Sequence, residues 1–336
     1  VEPSPERYYK ILRPFTEGEP QADSTAVERA IADHLGTIDH IRRGARLGNG
    51  QYPYEWEKGL DGKQPRVHGS RAVALIAAAQ AKLWADAGRG PEAIDLLLEL
   101  CVFANDVGRN GPVLAYVTGD DIHGIALNQI RQLIIDGRLS RQDLLRLSPN
   151  LALLDHGLFR FAPALANETL AYGWVMFNLK QTENESALPA PLRFWKAPEY
   201  AILLQSLDQL QAYTEQFKDI DVMPFTEVAS KGAAAEKQTE ASSNPSFRLV
   251  FPTVAGPAAR RRETLTQIRM LRMASEFVAT GDITALDDPF TGAQLSNRLA
   301  GNTLTIWSHG REGKDHGGQG EWGYRPGKDL ELKVKR

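Results

Sequence analysis

The sequence predicts a mainly α protein, an antiparallel helical bundle or helix-pair array over residues 1–230, followed by a small C-terminal α+β module over residues 255–336. Three observations predict it. Apolar residues recur at helical spacing through most of the first part. Residues 231–254 shift towards Ala, Glu, Lys, Gln, Ser and Asn, the composition of a linker or mobile loop. Beyond Gly281 the apolar pattern turns from helical to alternating, as strands require.

The first helix is announced by Thr25-Ala-Val-Glu28, which has capping-box form, and continues through Val27, Ile31, Leu35, Ile38 and Ile41. Residues 51–69 suit an irregular connection whose Tyr52, Tyr54 and Trp56 pack onto neighbouring helices. A helical hairpin follows: Val73, Ile76, Ala79, Leu83 and Trp84 form one stripe, Gly88 to Pro91 turn the chain, and Glu92 to Val107 return it. Pro91 sits in a first turn, where its missing N–H costs nothing. Further helices are expected over 112–135, from Ser140 onward, and over 163–180 and 198–217. Beyond the linker, Leu265, Ile268, Leu271, Met273 and Phe277 mark one more helix, stopped by Gly281. Leu304 and Ile306, then Leu330, Leu332 and Val334, alternate as two strands.

A net charge of -3 gives no reason to expect nucleic acid. Arg260-Arg261-Arg262 opens a helix and reads as a solvated face without a partner. The single Cys101 lies in an apolar run and reads as a buried structural thiol. No apolar stretch reaches the ~20 residues that span a bilayer. The chain begins at Val1 without an initiator Met, so membrane contact is expected only through an N-terminal signal or anchor removed upstream of it.

The longest loop with chemical potential runs from Ser308 to Lys328 between the two strands. Its glycines let backbone carbonyls turn inward, while Asp315 and Asp329 supply carboxylates, the two kinds of oxygen that calcium takes. The Asp-x-Asp-x-Asp-Gly spacing of a calcium-binding helical hand is missing, and Arg311, Lys314, Arg325 and Lys328 dilute the charge. His309 and His316 lack the spacing of a zinc pair and read as solvated. In the helical part, Asp120, Asp121 and His123 are the compact ionisable cluster, but helical neighbours point in different directions. Glu168 reads as a partnered structural carboxylate, and His156 as core or boundary packing. Gly-x-Ser-x-Gly, phosphate-loop and His-Glu-x-x-His signatures are all missing, which disfavours a conventional hydrolase or nucleotide enzyme.

The run Asp288-Pro-Phe-Thr-Gly292, Ile306-Trp-Ser-His-Gly310, Gly313-Lys-Asp-His-Gly-Gly318 and Asp329-Leu330 resembles the C-terminal part of type II secretion major pseudopilins. It resembles more closely the same ending on large bacterial envelope proteins with a helical region. The likeness covers about the last 80 residues well. It implies a pseudopilin-like module with calcium (Ca2+) held by Ser308 at the loop's entry, Asp315 and His316 in its middle and Asp329 at its close. His316 departs from the pattern, where an Asp is expected, and an imidazole is a poor calcium ligand. Over the remainder the likeness rests on helix order and on the Gly88–Ala93 turn, which resembles tetratricopeptide-type hairpins. The expected function is a non-enzymatic binding or scaffold protein of the periplasm or cell envelope, engaging a protein partner of unstated identity. The alternatives are an enzyme with a pocket in the helical body, using Asp120, Asp121, His123 or Glu168, and an intracellular helix-repeat scaffold.

Overall fold

The computed structural model describes residues 5–19, 23–48, 50, 52–56, 58, 67–178, 200–242, 253–323 and 325–336. Within them the chain is mainly helical, with a small four-stranded sheet at the C-terminal end. The helices are α1 (Pro5–Thr16), α2 (Ser24–Ala32), α3 (Leu35–Leu47), α4 (Ser70–Asp86), α5 (Gly90–Gly108), α6 (Val113–Ile135), α7 (Arg141–Gly157), α8 (Phe161–Asn178), α9 (Tyr200–Gln216), α10 (Phe225–Ala241) and α11 (Ala255–Thr280). The strands are β1 (Ser296–Ala300), β2 (Thr303–Ser308), β3 (Gly320–Glu321) and β4 (Asp329–Lys335).

Helix boundaries follow the local chemistry of their ends. Ser140 and Asp143 form a reciprocal capping box at the start of α7, satisfying two orphan N–H groups. Gly281 stops α11 at φ 92, its N–H donating to the Phe277 carbonyl, a backbone conformation that only glycine takes without strain. At α2 the cap differs from the expected Thr25: Asp23 stands there, its carboxylate accepting from the N–H groups of Thr25 and Ala26. The helix expected to run unbroken from Val27 to Ile41 divides at Asp33–His34 into α2 and α3, and α1 precedes them both.

Residues 231–241, read from composition as linker or mobile loop, continue α10, while 243–252 lie outside the described residues. Small side chains let this helix pack closely. A methyl group added at Gly232 would stand 3.3 Å from Val254 Cγ2, and Val228 and Ala235 are buried.

Contacts are not confined to consecutive helices. α4 touches α1, α5 and α6, and α11 touches α6, α7, α8 and α10 as well as strands β2 and β4. α5 and α6 cross closely: a Cβ at Gly119 would fall 2.7 Å from the Ala104 carbonyl and 3.0 Å from the Gly108 backbone. One continuous set of buried apolar residues runs from Leu12 through Leu100, Leu127 and Leu271 to Leu332. Burial of side chains of this size stabilises the fold by roughly 1.5–3 kcal/mol each.

The sheet has the order β1-β2-β4-β3, antiparallel except for the β3–β4 pair. Leu304 lies opposite Val334 and Ile306 opposite Leu332, so the alternating apolar residues of both strands share the face covered by α11. The expected strands ending at Ser308 and Val334 correspond to β2 and β4, whereas β1 and β3 carry no apolar alternation.

Candidate functional site

Asp288 opens the turn before the sheet and is 2% exposed. Its Oδ1 accepts from the Phe290 N–H at 2.9 Å; its Oδ2 accepts from the Ser308 hydroxyl at 2.9 Å and the His309 N–H at 3.3 Å. Ser308 Oγ in turn accepts from the Gly310 N–H. Phe290 enters the core edge-on to Phe225, and Gly292 closes the turn at φ 74 with its N–H on the Asp288 carbonyl. Ser308 thus ties the loop's entry to the Asp288 turn.

Asp329 is fully buried at the loop's close. Both its oxygens lie 3.2 Å from the His316 backbone N, and Oδ2 also accepts from Gly318 N–H at 2.9 Å. Asp315 is about half exposed, and its Oδ1 accepts from the Gly317 N–H at 2.7 Å and the Trp307 indole at 3.0 Å. Those two donors hold its carboxyl below the usual range. The imidazole of His316 lies 3.7 Å from Glu312, and that of His309 lies 3.7 Å from Asp315. A Cβ at Gly320 would run into the Asp329 carbonyl, so β3 can sit beside β4 only with glycine there.

These partners test whether the four residues fit a cation. Calcium needs oxygen atoms converging on a point. Here Asp315 and Asp329 face the positive ends of N–H dipoles and Ser308 is committed to Asp288, while His316 Nε2 is buried 3.7 Å from Glu312 without a hydrogen-bond partner among the described residues. Among the described residues no group of three or more His, Cys, Asp or Glu side chains is placed to hold a metal ion. As arranged, the carboxylates fasten the loop by accepting backbone hydrogen bonds.

The second constellation lies in the helical part, in a cleft of about 510 Å³ between α1, α4, α6 and α11. Asp120 and Asp121 both line it, with different partners. Asp120 accepts from the Thr264 hydroxyl at 2.7 Å, and Arg260 Nη1 is 4.0 Å away. Asp121 receives Arg260 Nη1 at 2.7 Å on one oxygen and Arg71 Nη2 on the other. Burial pushes the Asp120 carboxyl up to about 6, only partly offset by Thr264 and Arg260.

His123 and Glu168 stand elsewhere. His123 is fully buried, stacked 5.5 Å from Phe159, and burial holds its ring neutral, with a pKa of about 3. Glu168 accepts from the Val113 N–H at 3.1 Å and so satisfies an orphan donor at the start of α6, with burial raising its carboxyl. His156 is exposed rather than packed in the core. Cys101 is buried, its thiol pushed up to about 12.

The arginine run is a correction to the solvated face that the sequence suggested. Arg262 is 4% exposed and donates to the carbonyls of Ala258 and Ile220, while Arg261 donates to Phe159 O and lies 3.4 Å from Asp221. Helix α11 is buried on more than one side, so its guanidinium groups cap the carbonyls of neighbouring segments. Spacing alone could not reveal this, because the partners are up to 139 residues away in sequence.

No family model, curated protein or solved structure matches the chain. None of the described helices is long and apolar enough to cross a membrane.

Proposed function

We propose that this chain is a non-enzymatic binding or scaffold protein of the bacterial cell envelope, with a helical body that meets a protein partner and a pseudopilin-like C-terminal module. The observation that carries it is the use of the module's carboxylates. Asp288 and Asp329 are spent on hydroxyl and backbone N–H groups, which stiffens a loop and leaves neither available to a substrate. The likeness of residues 288–330 to pseudopilin endings supports the envelope location. In this reading the loop is rigid through hydrogen bonds, and the calcium role becomes a question for titration.

The helices read best as a closed antiparallel bundle. In a solenoid each repeat touches its neighbours only, whereas α11 meets α6, α7, α8 and α10. That contact pattern weighs against the helix-repeat scaffold. An enzyme built on Asp120, Asp121, His123 and Glu168 is weakened by the scatter of the last two. The cleft holding both aspartates keeps a ligand-binding role open, argued below.

The test is location. Cells expressing the native full-length reading frame are fractionated, and intact cells and spheroplasts are treated with protease. Recovery with the envelope or periplasm, and cleavage after the outer barrier is opened, is the expected result. Recovery with the cytosol, protected in spheroplasts, overturns the proposal.

A further inference from the structure

We infer that the cleft between α1, α4, α6 and α11 binds a small zwitterion, a free α-amino acid or a dipeptide, with its carboxylate at Arg71 and Arg260 and its ammonium at Asp120. The volume, about 510 Å³, suits such a ligand. The charge pattern is what selects it.

Two other aspartates among the described residues, Asp155 and Asp221, are well supplied with partners. Asp155 receives Arg269 through two nitrogens and lies 3.6 Å from Arg272; Asp221 accepts from the N–H groups of Phe161 and Ala162 and has Arg261 close by. Within the cleft the matching is incomplete. Arg71 and Arg260 both turn to Asp121, and Arg260 reaches Asp120 only at 4.0 Å, so two guanidiniums are held closely by one carboxylate. The Nε of Arg71 is buried and has no hydrogen-bond partner among the described residues. Asp120 has one hydroxyl donor and a guanidinium at 4.0 Å, too far for a hydrogen bond, which leaves one negative charge undersupplied.

The remaining charges facing the cleft cancel in pairs. Arg13 holds Glu17 at 2.7 Å, and Glu263 is held by Arg311 at 2.6 Å. A corner with two guanidiniums and, beside it, an underpaired carboxylate match the two ends of an α-amino acid. Asp120 is buried, and a buried charge is costly unless paired, so an ammonium beside it relieves that cost, while the part-exposed guanidiniums of Arg71 and Arg260 are open to a carboxylate. Tyr9 and Asn128 line the walls and offer a hydroxyl and an amide to a peptide bond. A polyphosphate or nucleotide fits poorly, since its added negative charges would confront Asp120.

Titration calorimetry on the purified full chain tests this without regard to where the protein resides. The probes are the individual standard amino acids, glycylglycine, and the N-acetylated form of whichever binds best. At least one zwitterion is expected to bind with Kd below about 1 mM, and its N-acetyl form at least about tenfold more weakly. Asp120→Asn, which keeps the acceptor for Thr264 and is expected to fold, weakens binding by about tenfold or more. Arg260→Gln and Arg71→Gln, each checked for native circular dichroism, do the same. Failure of every zwitterion to reach that Kd overturns the inference. So does binding that is indifferent to acetylation and to the folded variants.

Discussion

Two buried aspartates, one in the sheet module and one in the helical body, are treated in opposite ways. Asp288 is 2% exposed and has three donors: a hydroxyl and two backbone N–H groups. Asp120 is 9% exposed and has one hydroxyl donor, with Arg260 beyond hydrogen-bond range. The first is matched by its turn, so its burial is an element of the fold. The second remains underpaired, and burial drives its pKa to about 6. A desolvated carboxylate in a cleft is a candidate for recognition; one enclosed by amides is structural.

The sharpest way to break this comparison is to delete the matched carboxylate. Asp288→Ala strands the Ser308 hydroxyl and two N–H groups in buried or half-buried positions, and should cost about 4 kcal/mol. Urea unfolding measures it, and a loss under about 1 kcal/mol would mean that the donors find water. The converse substitution at the underpaired site should help. Asp120→Asn is expected to stabilise the protein by about 2 kcal/mol at neutral pH and above, because it removes a charge the fold does not satisfy. A large loss there would place Asp120 among the structural carboxylates.

The pH dependence sharpens the contrast. Asp120 takes its proton near pH 6 in the fold and 3.8 once unfolded. Its stabilising contribution is therefore fully present below 3.8 and lost as pH rises through 6. His123 has the reverse sense: it charges at 6.5 when unfolded and near 3 in the fold, so its contribution is present above 6.5 and lost as pH falls towards 3. Between 3.8 and 6 the two slopes, about 1.4 kcal/mol per pH unit each, oppose one another. Asp120→Asn should uncover a loss of stability on acidification across that window, and His123→Phe a gain. Parallel profiles for the two variants would contradict the assignment.

The smallest expected effect belongs to calcium. With the loop carboxylates engaged by N–H groups, millimolar calcium should move Tm by less than about 1 °C. A larger rise that disappears in Asp315→Ala would restore the cation reading of the loop.

What the sequence disclosed is what local chemistry controls. Gly88, Gly137 and Gly281 all take positive φ at helix ends, and Leu304, Ile306, Leu332 and Val334 line one buried face, as their spacing predicts. The sequence misled where packing used small residues. Residues 231–241 of α10 lack large side chains and have the composition of a linker, yet Gly232 and Ala235 suffice for close contact. α1 carries Tyr8, Leu12 and Phe15 at helical spacing, a signal sufficient to place a helix ahead of α2. The partners of Asp329 were invisible because a backbone N–H direction leaves no mark on residue identity. The Asp121–Arg260 pair joins α6 to α11 across a separation that periodicity cannot bridge.

Helix α11 has neighbours on several sides: helices of the body, and the inner strands of the sheet. Heat therefore finds no seam along which to peel the sheet away while the helices persist, since stripping the strands would uncover part of the apolar surface of the spine. A calorimetric scan should trace a single endotherm whose van't Hoff and measured enthalpies agree.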